Sequence, residues 1–187
     1  MRTIYVTEFI SLDGVIEAPG GEPGYAHAGW VGQYFDDEMG AYKLQEQLAS
    51  ETLVLGRVTY ESFRGAWPER EGEFAEKINA MEKHVVSSTI GEPGWQNVTV
   101  IAERPLDAIA SLKDRDGGPI IVAGSCTLAQ ALLDAGLVDE LHLQVFPVIL
   151  GSGRRLYAER PDTIPLKLAS SKATSTGALI QEYRPVR

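Results

Sequence analysis

Hydrophobic and polar residues recur along this chain with two different spacings, one typical of strands and one typical of helices. Short apolar runs, alternating or continuous, predict strands at 4–10, 52–56, 83–88, 98–101, 119–124 and 140–150. Patterns with the helical spacing predict helices at 37–49, 58–63, 73–81, 106–114 and 128–135. The last stretch, 166–186, is typical of a β-hairpin that turns at Ser175-Thr176-Gly177. Because strands and helices alternate, we expect a three-layer α/β fold: a mixed, mostly parallel sheet with helices on both faces and a C-terminal antiparallel hairpin.

Two of these elements have further features in the sequence. In the helix at 37–49, the apolar positions are Tyr42, Leu44 and Leu48. Pro147 lies inside the predicted strand 140–150. Because proline has no N–H for a sheet hydrogen bond, we expect a bulge or an edge position there.

One long irregular segment, Glu17 to Gly40, is rich in glycine, proline and aromatic residues. Loops of this length are uncommon in compact domains and are more often functional than decorative. We expect a lid over a substrate, with Trp30 or Tyr34 as a stacking surface. A disordered surface insertion is the alternative.

Composition narrows the class of protein. The 187 residues suit one domain over 1–187, and the net charge of −9 argues against a nucleic-acid groove. A single cysteine excludes an intrachain disulfide. The N-terminus lacks the apolar region of a signal peptide, and no apolar run approaches the roughly 18 residues of a membrane span. We therefore expect a cytoplasmic protein.

Glycine or serine follows three of the predicted strands, at Gly56-Arg57, Ser87-Ser88 and Gly124-Ser125. Ligands of open α/β sheets bind beyond the carboxyl ends of the strands. A glycine there lets the backbone approach a ligand closely, and the N–H groups of the following helix favour an anion. Together the three corners indicate a phosphate-bearing cofactor, although each alone is ordinary turn chemistry.

Nucleophilic chemistry at Ser125 is the alternative at the third corner. The nucleophile elbow G-x-S-x-G needs glycines where Ala123 and Thr127 stand. The downstream histidine, His142, lies inside a predicted strand, and Cys126 has no histidine near it in sequence. A nucleophilic Ser125 is therefore disfavoured, and Cys126 is expected to be a small core thiol.

Two carboxylates near the first strand are candidates for polar or catalytic contacts. Asp13 precedes Gly14 where the chain must turn, and a plain Asp-Gly turn explains it equally well. Asp36 begins an acidic run at a helix start, where carboxylates suit the helix dipole. The histidines are isolated in sequence, so no metal site is expected.

Four segments resemble a known family: "ISLDGVIE", "LVLGRVTYESF", "HVVSST" and "IIVAGSCTLAQALLDAGLVDELHLQVFPVILGSGRRLY". They are similar to the dihydrofolate reductase-like superfamily and, more closely, to the reductase domain of bifunctional riboflavin biosynthesis enzymes. The resemblance runs from about residue 2 to 184.

The resemblance implies that the chain binds NADPH and forms a homodimer. Gly56, Arg57 and Thr59 would hold cofactor phosphates, and Ser87 and Ser88 would lie near the adenosine 2′-phosphate. Arg57 would pair with that phosphate and favour NADPH over NADH. The residues that would line the pyrophosphate and the nicotinamide are Gly124, Ser125, Cys126, Thr127 and Leu128.

The chain also departs from the pattern. Dihydrofolate reductases carry an acid in the first helix, and the matching spacing falls near Gly40, which has no carboxylate. The neighbouring acids are Asp36, Asp37 and Glu38. The resemblance therefore implies an NADPH-dependent reductase of a small polar heterocyclic or carbonyl compound, with Asp13 or Asp36 as the catalytic carboxylate. The substrate would be 5-amino-6-(5-phosphoribosylamino)uracil, of riboflavin biosynthesis, or a pteridine. A non-catalytic NADPH-binding sensor or scaffold is the alternative.

Overall fold

The computed structural model describes residues 1–186, which form eight strands and five helices. The strands are β1 (Ile4–Ser11), β2 (Thr52–Gly56), β3 (Glu82–Val86), β4 (Val98–Ile101), β5 (Ile120–Ala123), β6 (Glu140–Phe146), β7 (Leu166–Ala173) and β8 (Leu179–Pro185). The helices are α1 (Asp37–Ala49), α2 (Arg57–Ala66), α3 (Glu73–Ala80), α4 (Pro105–Asp114) and α5 (Cys126–Asp134). Every predicted element is present, with differences of a few residues at the ends.

All strands belong to one sheet, in the order β4-β3-β2-β5-β1-β6-β8-β7. The six strands from β4 to β6 are parallel, and β8 and β7 are added antiparallel. This confirms the mixed, mostly parallel sheet and its C-terminal hairpin. Among the described helices, none is both long and apolar enough to cross a membrane.

The sheet opens beside β1. Strand β5 ends at Ala123, opposite Thr7, while β1 continues to Ser11 in register with β6. A gap therefore borders residues 8–11 of β1 and the turn that follows Ala123. We call this gap the notch.

Successive residues of each strand point to opposite faces of the sheet, and helices cover both faces. On one face, Val6 and Val122 pack with Ile109 of α4 and Leu132 of α5. On the other face, the strand residues Tyr5, Leu53 and Leu55 pack with Tyr60 of α2 and Ile78 of α3. Helix α1 lies on this second face as well, beside Phe146. The three layers follow directly from the alternation of apolar residues.

The buried side of α1 is largely polar. Leu48 is 41% exposed, and the buried residues of the helix are Met39, Glu46 and Gln47. Hydrophobic spacing cannot find this face, because two of its three buried residues are polar and find partners elsewhere in the fold.

The expectation for Pro147 is wrong. Strand β6 ends at Phe146, one residue before the proline, and lies inside the sheet between β1 and β8. Pro147 cannot donate a sheet hydrogen bond, so it ends the strand and neither bulges it nor places it at an edge.

The segment from Glu17 to Gly40 is irregular up to the start of α1, as expected, and it is packed against the sheet. Trp30 and Val31 are buried beside Phe146. The indole N–H of Trp30 donates to the carbonyl of Glu17 at 2.9 Å. These contacts argue against a disordered insertion.

Candidate functional site

The carboxyl edge of the sheet gathers most of the predicted site residues. Because the first six strands are parallel, they end at the same edge. Asp13 follows β1, Ser87 follows β3 and Gly124 follows β5, while Gly56 is the last residue of β2. Residues far apart in sequence are therefore presented together.

Ser125 ties two of these corners to each other. Its hydroxyl oxygen accepts a hydrogen bond from the N–H of Gly56 at 2.7 Å, and its O–H donates to Thr59 Oγ1 at 3.0 Å. The first turn of α5 is therefore fixed against the first turn of α2.

Both corners are closely packed. Gly124 has φ +57°, and a Cβ at this position would lie 2.9 Å from Thr59 Oγ1. A Cβ on Gly56 would lie 3.1 Å from the Cβ of Ser125. Close contact and the positive φ both favour glycine at Gly124, whereas a Cβ at Gly56 would need a small shift of Ser125.

The helices that begin at these corners leave their first N–H groups available. Gly56 is the N-cap of α2 and Ser125 the N-cap of α5, and no side chain within residues 1–186 caps either helix. Free N–H groups at a helix start, together with the helix dipole, favour an anion. Two such starts side by side fit the phosphates of a dinucleotide.

Arg57 and Thr127 lie in the first turns of α2 and α5, and both side chains reach solvent. The guanidinium of Arg57 is half-exposed and donates from Nη1 to both carboxylate oxygens of Glu61 at 3.0 Å. Thr127 is exposed, whereas Leu128 is buried in the core. An anion near α2 would meet the guanidinium of Arg57 with one neighbouring carboxylate.

The serines after β3 differ in their surroundings. The hydroxyl of Ser87 is buried and accepts hydrogen bonds from the N–H groups of Thr89 and Ile90. Ser88 is exposed. Ser87 therefore shapes its own turn, and Ser88 presents its side chain at the surface. Their predicted contacts to a 2′-phosphate stay predictions.

Cys126 is held as a neutral thiol. Burial and the nearby Glu8 raise its pKa, and its S–H donates to the carbonyl of Arg155 at 3.0 Å. A raised pKa suppresses the reactive thiolate. The surroundings fit the expected half-buried core thiol. In the described part of the chain, no group of three or more His, Cys, Asp or Glu residues is placed to hold a metal ion.

Asp13 anchors the loop that follows β6. Its carboxylate accepts hydrogen bonds from Ser11 Oγ at 2.7 Å and from the N–H groups of Leu150 and Gly151 at 3.1 and 2.8 Å. These hydrogen bonds, led by that from Ser11, lower its pKa to about 2. Asp13 is therefore ionised at neutral pH, and its predicted catalytic role stays a prediction.

Asp36 caps α1. Its carboxylate accepts from the N–H of Met39 at 2.9 Å and from the Oγ of Ser175, in the β7–β8 turn, at 2.8 Å. The hydrogen bond from Met39 is the main cause of its lowered pKa. The structure thus gives this carboxylate a capping contact, and its proposed catalytic role is untested.

The two predicted stacking residues contact the sheet in different ways. Trp30 is 7% exposed and meets the ring of Phe146 edge-on, with centroids 5.5 Å apart. Tyr34 is half-buried, and its hydroxyl donates to the carbonyl of Pro147 at 3.4 Å. Of the two rings, that of Tyr34 is the more accessible to a ligand.

A buried polar network between α1 and the sheet was missed by the sequence analysis. Glu46 accepts from Lys43 and pairs with Nδ1 of His142 at 2.7 Å. Lys43 also donates to Thr7 Oγ1 at 2.7 Å. The first helix therefore does carry an acid that faces the sheet, at Glu46 and not near Gly40. The only signal for it in the sequence is a glutamate among helical residues, which is ordinary.

The network holds charge of both signs. Burial opposes the ionisation of Glu46, but Lys43 and His142 outweigh it, so the pKa of Glu46 is lowered. Burial likewise disfavours protonated His142, but its contacts with Glu46 and Glu140 outweigh this and raise its pKa. When His142 is protonated, it forms a buried ion pair with Glu46 between α1 and β6.

Nearly the whole chain matches one protein-family model. The model of the RibD C-terminal domain matches residues 2–180. The chain belongs to the RibD C-terminal domain family. This confirms the resemblance, which placed the chain in the dihydrofolate reductase-like superfamily and nearest to the riboflavin-type reductase domains.

Relatives of this RibD C-terminal domain can be aligned with nearly its whole length. The uncharacterized protein YyaP of Bacillus subtilis (strain 168) is 28% identical over 183 residues, which are 95% of this chain and 92% of YyaP. A pyrimidine reductase-like protein from Corynebacterium diphtheriae has a TM-score of 0.73 and 15% identity, covering 100% of this chain and 92% of that protein.

A dihydrofolate reductase from Enterococcus faecalis, complexed with NADP(H) and RAB-propyl, has a TM-score of 0.63 and 15% identity. The match covers 99% of this chain and 97% of the reductase chain. At these identities the two solved structures show the fold, and that fold is dihydrofolate reductase-like. Family and fold together support a reductase.

Proposed function

We propose that this protein is an NADPH-dependent reductase that transfers a hydride from the nicotinamide to a small polar heterocyclic or carbonyl compound. The observation that carries the proposal is the hydrogen bond between Ser125 Oγ and the N–H of Gly56. It holds two uncapped helix starts side by side at the carboxyl edge, where they can share one pyrophosphate.

NADPH would supply the hydride when bound, and the chain would bind and orient it. The N–H groups at the starts of α2 and α5 would hold the phosphates, with Thr59 and Thr127 beside them. Arg57 and Ser88 are accessible for the adenosine 2′-phosphate. The family supports a riboflavin-type pyrimidine, 5-amino-6-(5-phosphoribosylamino)uracil, as substrate, and the fold is compatible with a pteridine.

Titration with NADPH, followed by the fluorescence of the reduced nicotinamide, tests the proposal. We expect binding at micromolar concentrations, followed by oxidation of NADPH with one member of a panel of pteridines, pyrimidine ribosylamines and small carbonyl compounds. Failure to bind NADPH at these concentrations would refute the proposed function.

A binding protein without catalysis is the second candidate, and one observation favours it. The acid of the first helix, Glu46, is buried and paired with Lys43 and His142, so it is not free to contact a substrate. NADPH that binds but is not oxidised with any compound of the panel would support this sensor or scaffold.

The homodimer and the cytoplasmic location belong to the same proposal. Strand β7 lies at the edge of the sheet, and all of its residues are exposed, so it offers a surface to a second copy. Light scattering during size-exclusion chromatography gives the mass directly; the mass of one chain would contradict the dimer.

A further inference from the structure

Glu8 is a buried carboxyl group beside the notch. The residue lies on β1 one position beyond Thr7, where the pairing with β5 stops. Its side chain points to the face that carries Val6 and Ile10, which is the face covered by α5. Glu8 is 4% exposed.

The carboxyl group of Glu8 lacks a partner within the described chain. Its Oε1 is fully buried without a hydrogen bond from any residue of 1–186. An unpaired polar atom in the core costs free energy, so its retention calls for a compensating use. Burial raises the pKa of Glu8 to about 8, and the group is therefore mostly a neutral acid at pH 7.

The groups around Glu8 do not supply that partner. Cys126, the first residue of α5, and Tyr157, in the segment after β6, both experience the charge of Glu8. Lys43 reaches Glu8 only as a charge, since its ammonium donates to Thr7 and Glu46 on the opposite face. The other charged or titratable groups near Cys126 and Tyr157 are Glu17, Arg154, Arg160 and Tyr183.

We propose that Glu8 is a cofactor-binding residue whose carboxylic acid pairs with the carboxamide of the nicotinamide in the notch. The inference rests on the proposed function, which assigns the starts of α2 and α5 to the phosphates of NADPH. Glu8 follows Thr7, which pairs with Ala123 just before the start of α5.

The two groups are chemically complementary. A neutral carboxylic acid offers one O–H donor and one carbonyl acceptor side by side, and a primary carboxamide offers an N–H donor and a carbonyl acceptor. Two hydrogen bonds would form in a site that excludes water, and the buried Oε1 of Glu8 would be satisfied. An ionised Glu8 would instead face the amide carbonyl with a negative charge.

Binding is measured without substrate, by the fluorescence of NADPH, on the unaltered protein and on two variants. Glu8→Leu fills the space without hydrogen bonds, and we expect its Kd to rise at least about tenfold. Glu8→Gln keeps a donor and an acceptor, and we expect its Kd at pH 7 to stay within about threefold. Glu76→Gln, an exposed glutamate of α3, is the matched control and should bind like the unaltered protein.

The pH dependence gives a second readout. The unaltered protein should bind about tenfold more weakly at pH 9 than at pH 7, because only the protonated fraction of Glu8 can donate. The pKa values of Cys126 and Tyr157 are both raised, that of Tyr157 to about 12, so Glu8 is the first of the three groups to titrate in this range. In Glu8→Gln this weakening should be lost.

An analogue of NADPH locates the contact. In 3-acetylpyridine NADPH a methyl group replaces the amide nitrogen, so one hydrogen bond to Glu8 cannot form. The unaltered protein should prefer NADPH over this analogue about tenfold, and Glu8→Leu should show no preference.

Thermal unfolding without cofactor separates binding from a structural role. An unpartnered buried carboxyl group does not stabilise the free protein, so Glu8→Leu should melt at the same temperature or higher. If Glu8→Leu melts lower, or binds NADPH as the unaltered protein does, the inference about Glu8 is overturned while the proposed function stands. Absence of NADPH binding by the unaltered protein would overturn both.

Discussion

Gly124 is the residue whose replacement tests the two-corner site most directly. Its φ is +57°, and an added Cβ would lie 2.9 Å from Thr59 Oγ1. We expect Gly124→Ala to lower the free energy of unfolding by about 1–3 kcal/mol and to weaken NADPH binding at least about tenfold.

Gly65 in α2 is the matched control, because a Cβ there meets nothing within 4 Å. Gly65→Ala should be neutral or stabilise by up to about 1 kcal/mol. Chemical denaturation and cofactor fluorescence measure both variants. Equal effects of the two substitutions would mean that the corner at Gly124 is not a close contact.

Replacing Arg57 tests whether this residue gives the protein its preference for NADPH, which carries the 2′-phosphate. The guanidinium is accessible and pairs with Glu61 on the same helix. Arg57→Ala should weaken NADPH binding at least about tenfold and leave NADH nearly unchanged, because only NADPH carries the extra phosphate. Glu61→Gln, which frees the guanidinium, should bind NADPH as well or better. An equal loss for both cofactors would refute the phosphate contact.

Glu46 tests the buried network. Glu46→Gln leaves Lys43 and His142 without their carboxylate and should cost about 3 kcal/mol in the free energy of unfolding. Asp107→Asn, which breaks the exposed pair with Arg104, should cause no measurable loss.

The decrease in the free energy of unfolding caused by Glu46→Gln should depend on pH. The pKa of Glu46 is lowered in the folded protein. Its contribution to stability is therefore present above about pH 4.5 and disappears as the pH falls through the pKa of the folded state. The pKa of His142 is raised, so its contribution is present below about 6.5 and disappears as the pH rises through the folded value. Denaturation from pH 4 to 8 should therefore show the largest difference between about 4.5 and 6.5; a constant difference would contradict the pairing.

At the scale of elements, Trp30 tests how the segment from Glu17 to Gly40 is held against the sheet. Trp30 packs against Phe146 and donates to the carbonyl of Glu17. Trp30→Ala should cost about 3–4 kcal/mol and make the segment the first site of cleavage in limited proteolysis. Tyr34→Phe removes one long hydrogen bond and should change neither result. Protease resistance of Trp30→Ala would show that other contacts hold the segment.

The elements themselves could be predicted, because each depends on its local pattern. The sequence placed α1 at 37–49 and β2 at 52–56, and it found the glycine corners because glycine followed two buried strands. It could not show that Glu46 is buried, since its partner His142 is 96 residues away. It also could not single out Glu8, because a glutamate inside an apolar strand is noticed only when its neighbours are known.

At the scale of the whole molecule, burial falls from the middle of the sheet towards the hairpin. Strand β1 is buried on both faces, whereas every residue of β7 is exposed at the sheet edge. Amide hydrogen exchange should therefore be slowest in β1 and β5 and fastest, among the strands, in β7. If β7 is as protected as β1 at concentrations that favour a dimer and becomes unprotected on dilution, β7 forms the interface.

The central position of β1 has a consequence for how the protein is made. This strand is made before the other seven, yet its neighbours on both sides begin at Ile120 and Glu140. At roughly 5–20 residues per second, synthesis would keep its apolar edges uncovered for on the order of ten seconds. We therefore expect the nascent chain to bind chaperones until β6 has been translated.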